Sequence, residues 1–162
     1  MIKFLITLLF LVTALVAKTY NFSELRYSDA LERTMTLKGQ ISFEESALAI
    51  KYSNTNRALN YEDGELEYLE DSQIVEISEE ESMKIAQYFE IILLLYSGDK
   101  DALNAAFEIK EEDGFSFLTP KGELKNHIKK IKIKRGTLRL ESIKLFLSND
   151  DTINISIENE VH

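Results

Sequence analysis

Two histidines, no cysteine and several runs of carboxylates are what this 162-residue chain offers to chemistry. The acids crowd into 62–71 (EDGELEYLED), 79–81 and 111–113. Clustered carboxylates can hold calcium, but the ligand order of a twelve-residue calcium loop is absent. They read instead as hairpin tips and solvated strand faces. His127 sits in a lysine-rich window with no partner for nucleophilic or metal chemistry nearby in sequence, and His162 ends the sequence, where backbone commonly frays. No G-x-S-x-G, H-E-x-x-H or phosphate-cradling glycine loop occurs. The expectation is a protein that is not an enzyme and takes no metal or cofactor.

Basic residues are unevenly placed. The formal charge is −9, yet seven of the nineteen Lys and Arg fall within 117–135, FLTPKGELKNHIKKIKIKR. There Ile131 and Ile133 alternate with Lys130, Lys132 and Lys134, which puts the lysines on the outer side of a strand. No aromatic residue stands between 118 and 145 to stack on bases. A body this acidic also repels nucleic acid and anionic headgroups, so neither is an expected general partner. Long lysine stems shield the apolar sheet beneath them. Lys130 and Lys132 remain candidates for docking an acidic surface on a partner.

The elements that must position these residues begin after a leader. Residues 1–17 have a basic start, an apolar run from Phe4 to Val16 and a small residue, Ala17. That is the layout of a cleaved secretory signal peptide, and the run is too short for a spanning helix. Residues 18–162 then form one domain of a size that folds without staples. Export without cysteine points to a periplasm, a core that needs no disulfide, and a chain that is not itself lipidated.

Alternation of period two dominates the mature chain. Met35, Leu37, Ile41 and Phe43 share one side of 34–43, and the pattern recurs along most of the sequence. Eleven strands are expected near 20–27, 34–43, 47–53, 57–62, 65–70, 73–77, 107–111, 115–119, 128–134, 137–147 and 152–158. Asp63-Gly64 and Asp113-Gly114 mark tight hairpins. The phase slips by one between Leu140 and Ile143, which a bulge near Glu141–Ser142 would absorb. The fold class is mainly β (α+β), a curved antiparallel sheet forming a half-open barrel. One segment departs from it. Ser78 with Glu81 opens a helix over about 79–97, Gly98 closes it, and a shorter helix follows at 99–106. Ile91 to Tyr96 is apolar on every side, so this helix must be covered all round, and the concave face of the sheet is the natural cover.

The stretch from Phe107 to Asn159 carries a resemblance. An F-x-I-K strand, an acidic turn ending at Gly114 and then F-x-F-L-T-P-K lead to Ile131/Ile133 and the closing hairpin IKLFLSNDDTINISIEN. With Gly39-Gln40-Ile41 and the hairpin ALNYEDGELEYL upstream, this order resembles LolA, the periplasmic carrier of outer-membrane lipoproteins. The resemblance implies an unclosed barrel of about eleven strands lidded by helices. It also implies a soluble monomeric chaperone that takes acylated lipoproteins from an inner-membrane ABC-type release complex to an outer-membrane receptor. Two departures stand out. Strand-like NFSELRY replaces the family's first amphipathic helix, and Glu44-Glu45-Ser46 replaces the Arg-Pro whose arginine helps latch the lid.

Pattern and resemblance together point to a lidded apolar cavity for acyl chains. Its expected wall is Leu37, Ile41, Phe43, Ile50, Tyr52, Tyr61, Phe117 and Leu145, and its expected lid is Phe89 with Ile92, Leu93, Leu94 and Leu95. The competing expectation is a non-catalytic binding or interaction module in which these residues form a permanently filled core.

Overall fold

The computed structural model describes residues 17–137 and 139–162; the expected leader lies outside them except for Ala17. Among the described residues, eleven strands form one sheet. They are β1 (Lys18–Ser28), β2 (Arg33–Phe43), β3 (Ala47–Tyr52), β4 (Arg57–Glu62), β5 (Glu65–Glu70) and β6 (Gln73–Ile74), then β7 (Phe107–Glu112), β8 (Phe115–Pro120), β9 (Ile128–Arg135), β10 (Leu140–Leu147) and β11 (Thr152–Glu160). Helices α1 (Glu79–Ser97) and α2 (Lys100–Ala106) interrupt the strands between β6 and β7.

The sheet order is β6-β5-β4-β3-β2-β1-β11-β10-β9-β8-β7, and every pairing is antiparallel. The chain thus starts at the centre, meanders to one edge, crosses by the helices to the other edge, and meanders back beside its start. β6 and β7 are the two edges and do not pair with each other. This is a half-open barrel with a helical lid.

Local chemistry explains the joints. Asp63 and Gly64 have φ of 49° and 89°, the doubly left-handed pair that matches the twist of a two-residue hairpin, and Asp113 and Gly114 repeat it at 52° and 76°. The β9–β10 register skips Glu141, passing from Leu140↔Arg135 to Ser142↔Lys134, so the bulge sits where the phase slip requires one. The Ser78 hydroxyl accepts the Glu81 amide at 3.2 Å, and Gly98 at φ 66° closes α1 by donating to the Leu94 carbonyl. Asp99 caps α2. β6 stops at Ile74, short of the expected 77, because the chain must turn from the sheet into the α1 cap, although the Val75 amide still reaches the Tyr68 carbonyl at 2.9 Å. β1 runs as a strand from Lys18 onward.

Candidate functional site

α1 lies on the concave face of the sheet, and its two halves meet different surroundings. Around the C-terminal half the barrel is filled. Phe89, Ile92 and Leu95 are buried, with Ile92 at 0% exposure. Three contacts fasten this half. The Tyr61 hydroxyl donates to Glu90 Oε1 at 2.8 Å, and the Tyr96 ring stacks on Phe43 at 3.8 Å between centroids. The Arg135 guanidinium donates to the Leu95 carbonyl, one of the last-turn acceptors that the helix itself leaves unpaired. Burial, then the bond to Glu90, pushes the Tyr61 hydroxyl up to about 12.

The N-terminal half covers a hollow. Glu81, Lys84, Ile85 and Tyr88 roof a cavity of about 580 Å³, continued by Phe89 and Ile91. Leu37, Tyr52, Leu59, Tyr68, Ile128 and Leu145 form much of its wall. A second hollow of about 570 Å³ adjoins it, and the two share Arg26, Met35, Leu147 and Ile153. Residues of the β1–β2, β3–β4 and β10–β11 turns, among them Leu31, Thr55 and Asn149, contribute to their linings. Two exposed large apolar residues, Leu31 and Met35, line the second hollow.

The expected wall is therefore divided. Leu37, Tyr52 and Leu145 line the cavity. Ile41, Phe43, Ile50 and Tyr61 are buried but belong to the packed core rather than to the cavity lining. Of the expected lid, Phe89 lines the cavity, Ile92 and Leu95 are fully buried beyond it, and Leu93 and Leu94 are half-buried against the core.

Phe117 requires a correction. It pairs with Lys132 on the outer face, and Leu118 points inward in its place. F-S-F-L offers apolar residues in both phases, and the inward one is set by Leu118 and Pro120.

The same correction changes the lysine face. No ring is interleaved within β9, but β8 and β10 supply rings from either side. Lys130 Nζ stands 4.1 Å from the Phe117 centroid, Lys132 Nζ 3.8 Å from that of Phe115, and Lys144 Nζ 5.1 Å from that of Phe146. Lys132 and Lys144 lie directly opposite each other. Among the described residues, neither these two nor Lys130 has a carboxylate within ion-pair distance.

Period-two reading missed one group altogether. On β1, Tyr20 and Phe22 face inward, and so do Glu24 and Arg26, while Leu25 faces solvent. Glu24 is the one buried charged residue among those described, at 0% exposure. The Arg26 guanidinium donates to Glu24 Oε1 and, at 3.4 Å, to the Tyr52 hydroxyl. Burial pushes the Tyr52 and Tyr88 hydroxyls up, and the Glu24 carboxylate pushes both further in the same direction. A signal was present in NFSELRY, where the charges occupy the phase of Phe22 and the leucine the opposite one.

Among the described residues, no three or more His, Asp or Glu side chains are grouped to hold a metal ion. No helix there is long and apolar enough to cross a membrane. No protein-family model matches the chain, and no curated protein matches it. Among solved structures it is similar to a LolA superfamily protein from Nitrosomonas europaea, at 7% identity over 91% of this chain and 86% of that one, with a TM-score of 0.43.

Proposed function

We propose that the protein is a non-catalytic carrier that shields acyl chains in the cavity beneath α1, working as a monomer in a periplasm after removal of its leader. The observation that carries this reading is the split lid. An apolar hollow of about 580 Å³ lies under the half of α1 that lacks the Tyr61, Tyr96 and Arg135 fastenings. Its volume falls within the roughly 300–1,000 Å³ of small-molecule sites. A sixteen-carbon chain exposed to water costs on the order of 12 kcal/mol at about 0.8 per methylene, so a carrier needs comparable apolar wall. It must also release its cargo. A helix anchored at one end and loosely seated at the other can move aside without unfolding the core. Exposed Leu31 and Met35 at the adjoining hollow suit delivery against an apolar surface.

The cargo on this reading is an acylated lipoprotein or another lipid. The sequence resemblance supplies the partner classes, an inner-membrane ABC-type release complex and an outer-membrane receptor. Lys130 and Lys132 would dock an acidic patch of such a partner, and delivery unchanged by Lys130→Glu with Lys132→Glu removes that role.

Uptake of a fluorescent fatty-acyl probe by the purified protein tests the carrier reading, beside an Ile85→Trp variant that fills the cavity. Saturable binding that Ile85→Trp abolishes is the expected result. A well-folded protein that takes up no probe, and yields no lipid on organic extraction, would support the filled-core interaction module instead.

A further inference from the structure

An apolar cavity for chains alone has no use for an ion pair in its wall. Replacing a buried pair by apolar residues of similar volume is often neutral or stabilising. Yet Glu24 and Arg26 occupy consecutive inward positions of the central strand, and the leucine between them is turned to solvent. Departures from local consistency of this kind concentrate at functional sites.

The pair is not sealed off. Glu24 is fully buried, whereas the Arg26 side chain is 39% exposed and lines both hollows at their junction. Tyr52 and Tyr88 line the main cavity beside it. Among the described residues the buried Tyr88 hydroxyl has no hydrogen-bond partner, and neither has the second oxygen of Glu24, Oε2. A buried hydroxyl left unpaired costs free energy until something pairs with it. Guanidinium N–H groups beyond those given to Glu24 and Tyr52, and the Tyr88 O–H, are donors.

We infer that Arg26, Tyr52 and Tyr88 form a polar subsite that takes the carbonyl oxygen of an ester- or amide-linked acyl chain, with the chain running into the apolar cavity. This deepens the carrier reading and rests on it. The charge of the subsite decides between carbonyl sources. Glu24 already neutralises Arg26, so a free carboxylate would arrive beside a buried carboxylate with no unspent positive charge. A neutral carbonyl accepts the same hydrogen bonds without that repulsion. The subsite therefore selects acyl esters and amides over free fatty acids, and over chains without a carbonyl.

The test measures binding of three ligands with the same chain, monolauroylglycerol, its dodecyl ether analogue and laurate, each below its micelle concentration. The wild type should bind the ester about fivefold or more tighter than the ether, the span of one or two neutral hydrogen bonds, with laurate weakest at neutral pH. Tyr88→Phe removes only an unpaired hydroxyl, so the protein should fold normally while the ester-to-ether ratio falls toward one. A paired Glu24→Leu, Arg26→Met variant should lose the preference entirely, its ester-to-ether ratio being read whatever its affinity for the ether. Equal ester and ether affinities in the wild type overturn the inference, as does laurate binding tightest or a preference that survives in both variants. Ether binding separately reports the cavity, so a protein that binds none of the three refutes the carrier reading itself.

Discussion

Ile85 and Ile92 stand seven residues apart on α1 and so on the same side of the helix, yet they should respond to truncation very differently. Ile92 is fully buried in the filled half of the barrel. Cutting it to alanine removes the transfer free energy of its buried carbons and leaves a void, a loss of about 3 kcal/mol within the usual 2–5. For a chain of this size that is roughly 6–12 °C in Tm. Ile85 is half-buried and faces a hollow that already exists. Its truncation creates no new void, exposes less apolar area, and recovers a few tenths of a kcal/mol from the better helix propensity of alanine. A loss below about 1 kcal/mol is expected. The propensity gain is common to both variants, so their difference, about 2 kcal/mol, reports packing alone. Urea unfolding of the two variants measures it, with unchanged m-values certifying the comparison. Acyl-probe affinity should change for Ile85→Ala and stay level for Ile92→Ala. Equal losses in stability would mean that both halves of α1 are equally packed, and the split-lid argument would fail.

Arg135→Met removes a charge-assisted bond to the Leu95 carbonyl and a favourable cation at a helix C-terminus, about 1.5–3 kcal/mol together. Amide exchange should quicken in the last turns of α1 and not in the first, and uniform exchange along the helix would contradict the anchoring role. The Tyr61 hydroxyl ordinarily titrates near 10 and is held near 12 here. Because the folded value is raised, its contribution is fully present below pH 10 and is lost as pH rises through 12. Stability should fall across that window, and Tyr61→Phe should flatten the fall; an identical alkaline profile in the variant would remove Tyr61 from the account. Gly39→Ala should cost at least about 2 kcal/mol in denaturant melts, since a Cβ there would lie 2.0 Å from the Lys51 carbonyl oxygen. A neutral result would refute the close approach of β2 and β3 at Gly39.

Much of the architecture is legible because a strand has a period of two and its turns have few chemical solutions. Asp-Gly pairs place the β4–β5 and β7–β8 hairpins, and the slip between Leu140 and Ile143 places a bulge without any knowledge of the neighbouring strand. Phe117 shows the limit. In F-S-F-L the phase is ambiguous within the segment, and the decision is made across strands, where Phe117 meets Lys132 and Leu118 meets Ile131. The lysine face has the same origin. Its rings come from β8 and β10, so reading β9 alone finds charge without aromatics.

The candidate site was half legible for a related reason. That Ile91 to Tyr96 is apolar all round requires cover on every side, and the structure supplies it for Ile92 and Leu95. Whether space remains under the first half of the helix depends on how far the sheet curls and where α1 is pinned along it. Those quantities are set by Arg135, Tyr61 and Phe43, which lie on three different strands far from α1 in sequence. A hydrophobic pattern records which residues leave water, not whether they meet one another once they have left. Wall residues and core residues therefore look alike in sequence, which is why Leu37 and Ile41, four positions apart on one strand face, separate into cavity and core. Glu24 and Arg26 are different. They break the pattern, and charged residues in an inward phase are costly enough that the break itself is information. In a strand that otherwise alternates, such an inversion marks the position to inspect first, ahead of any residue that merely fits.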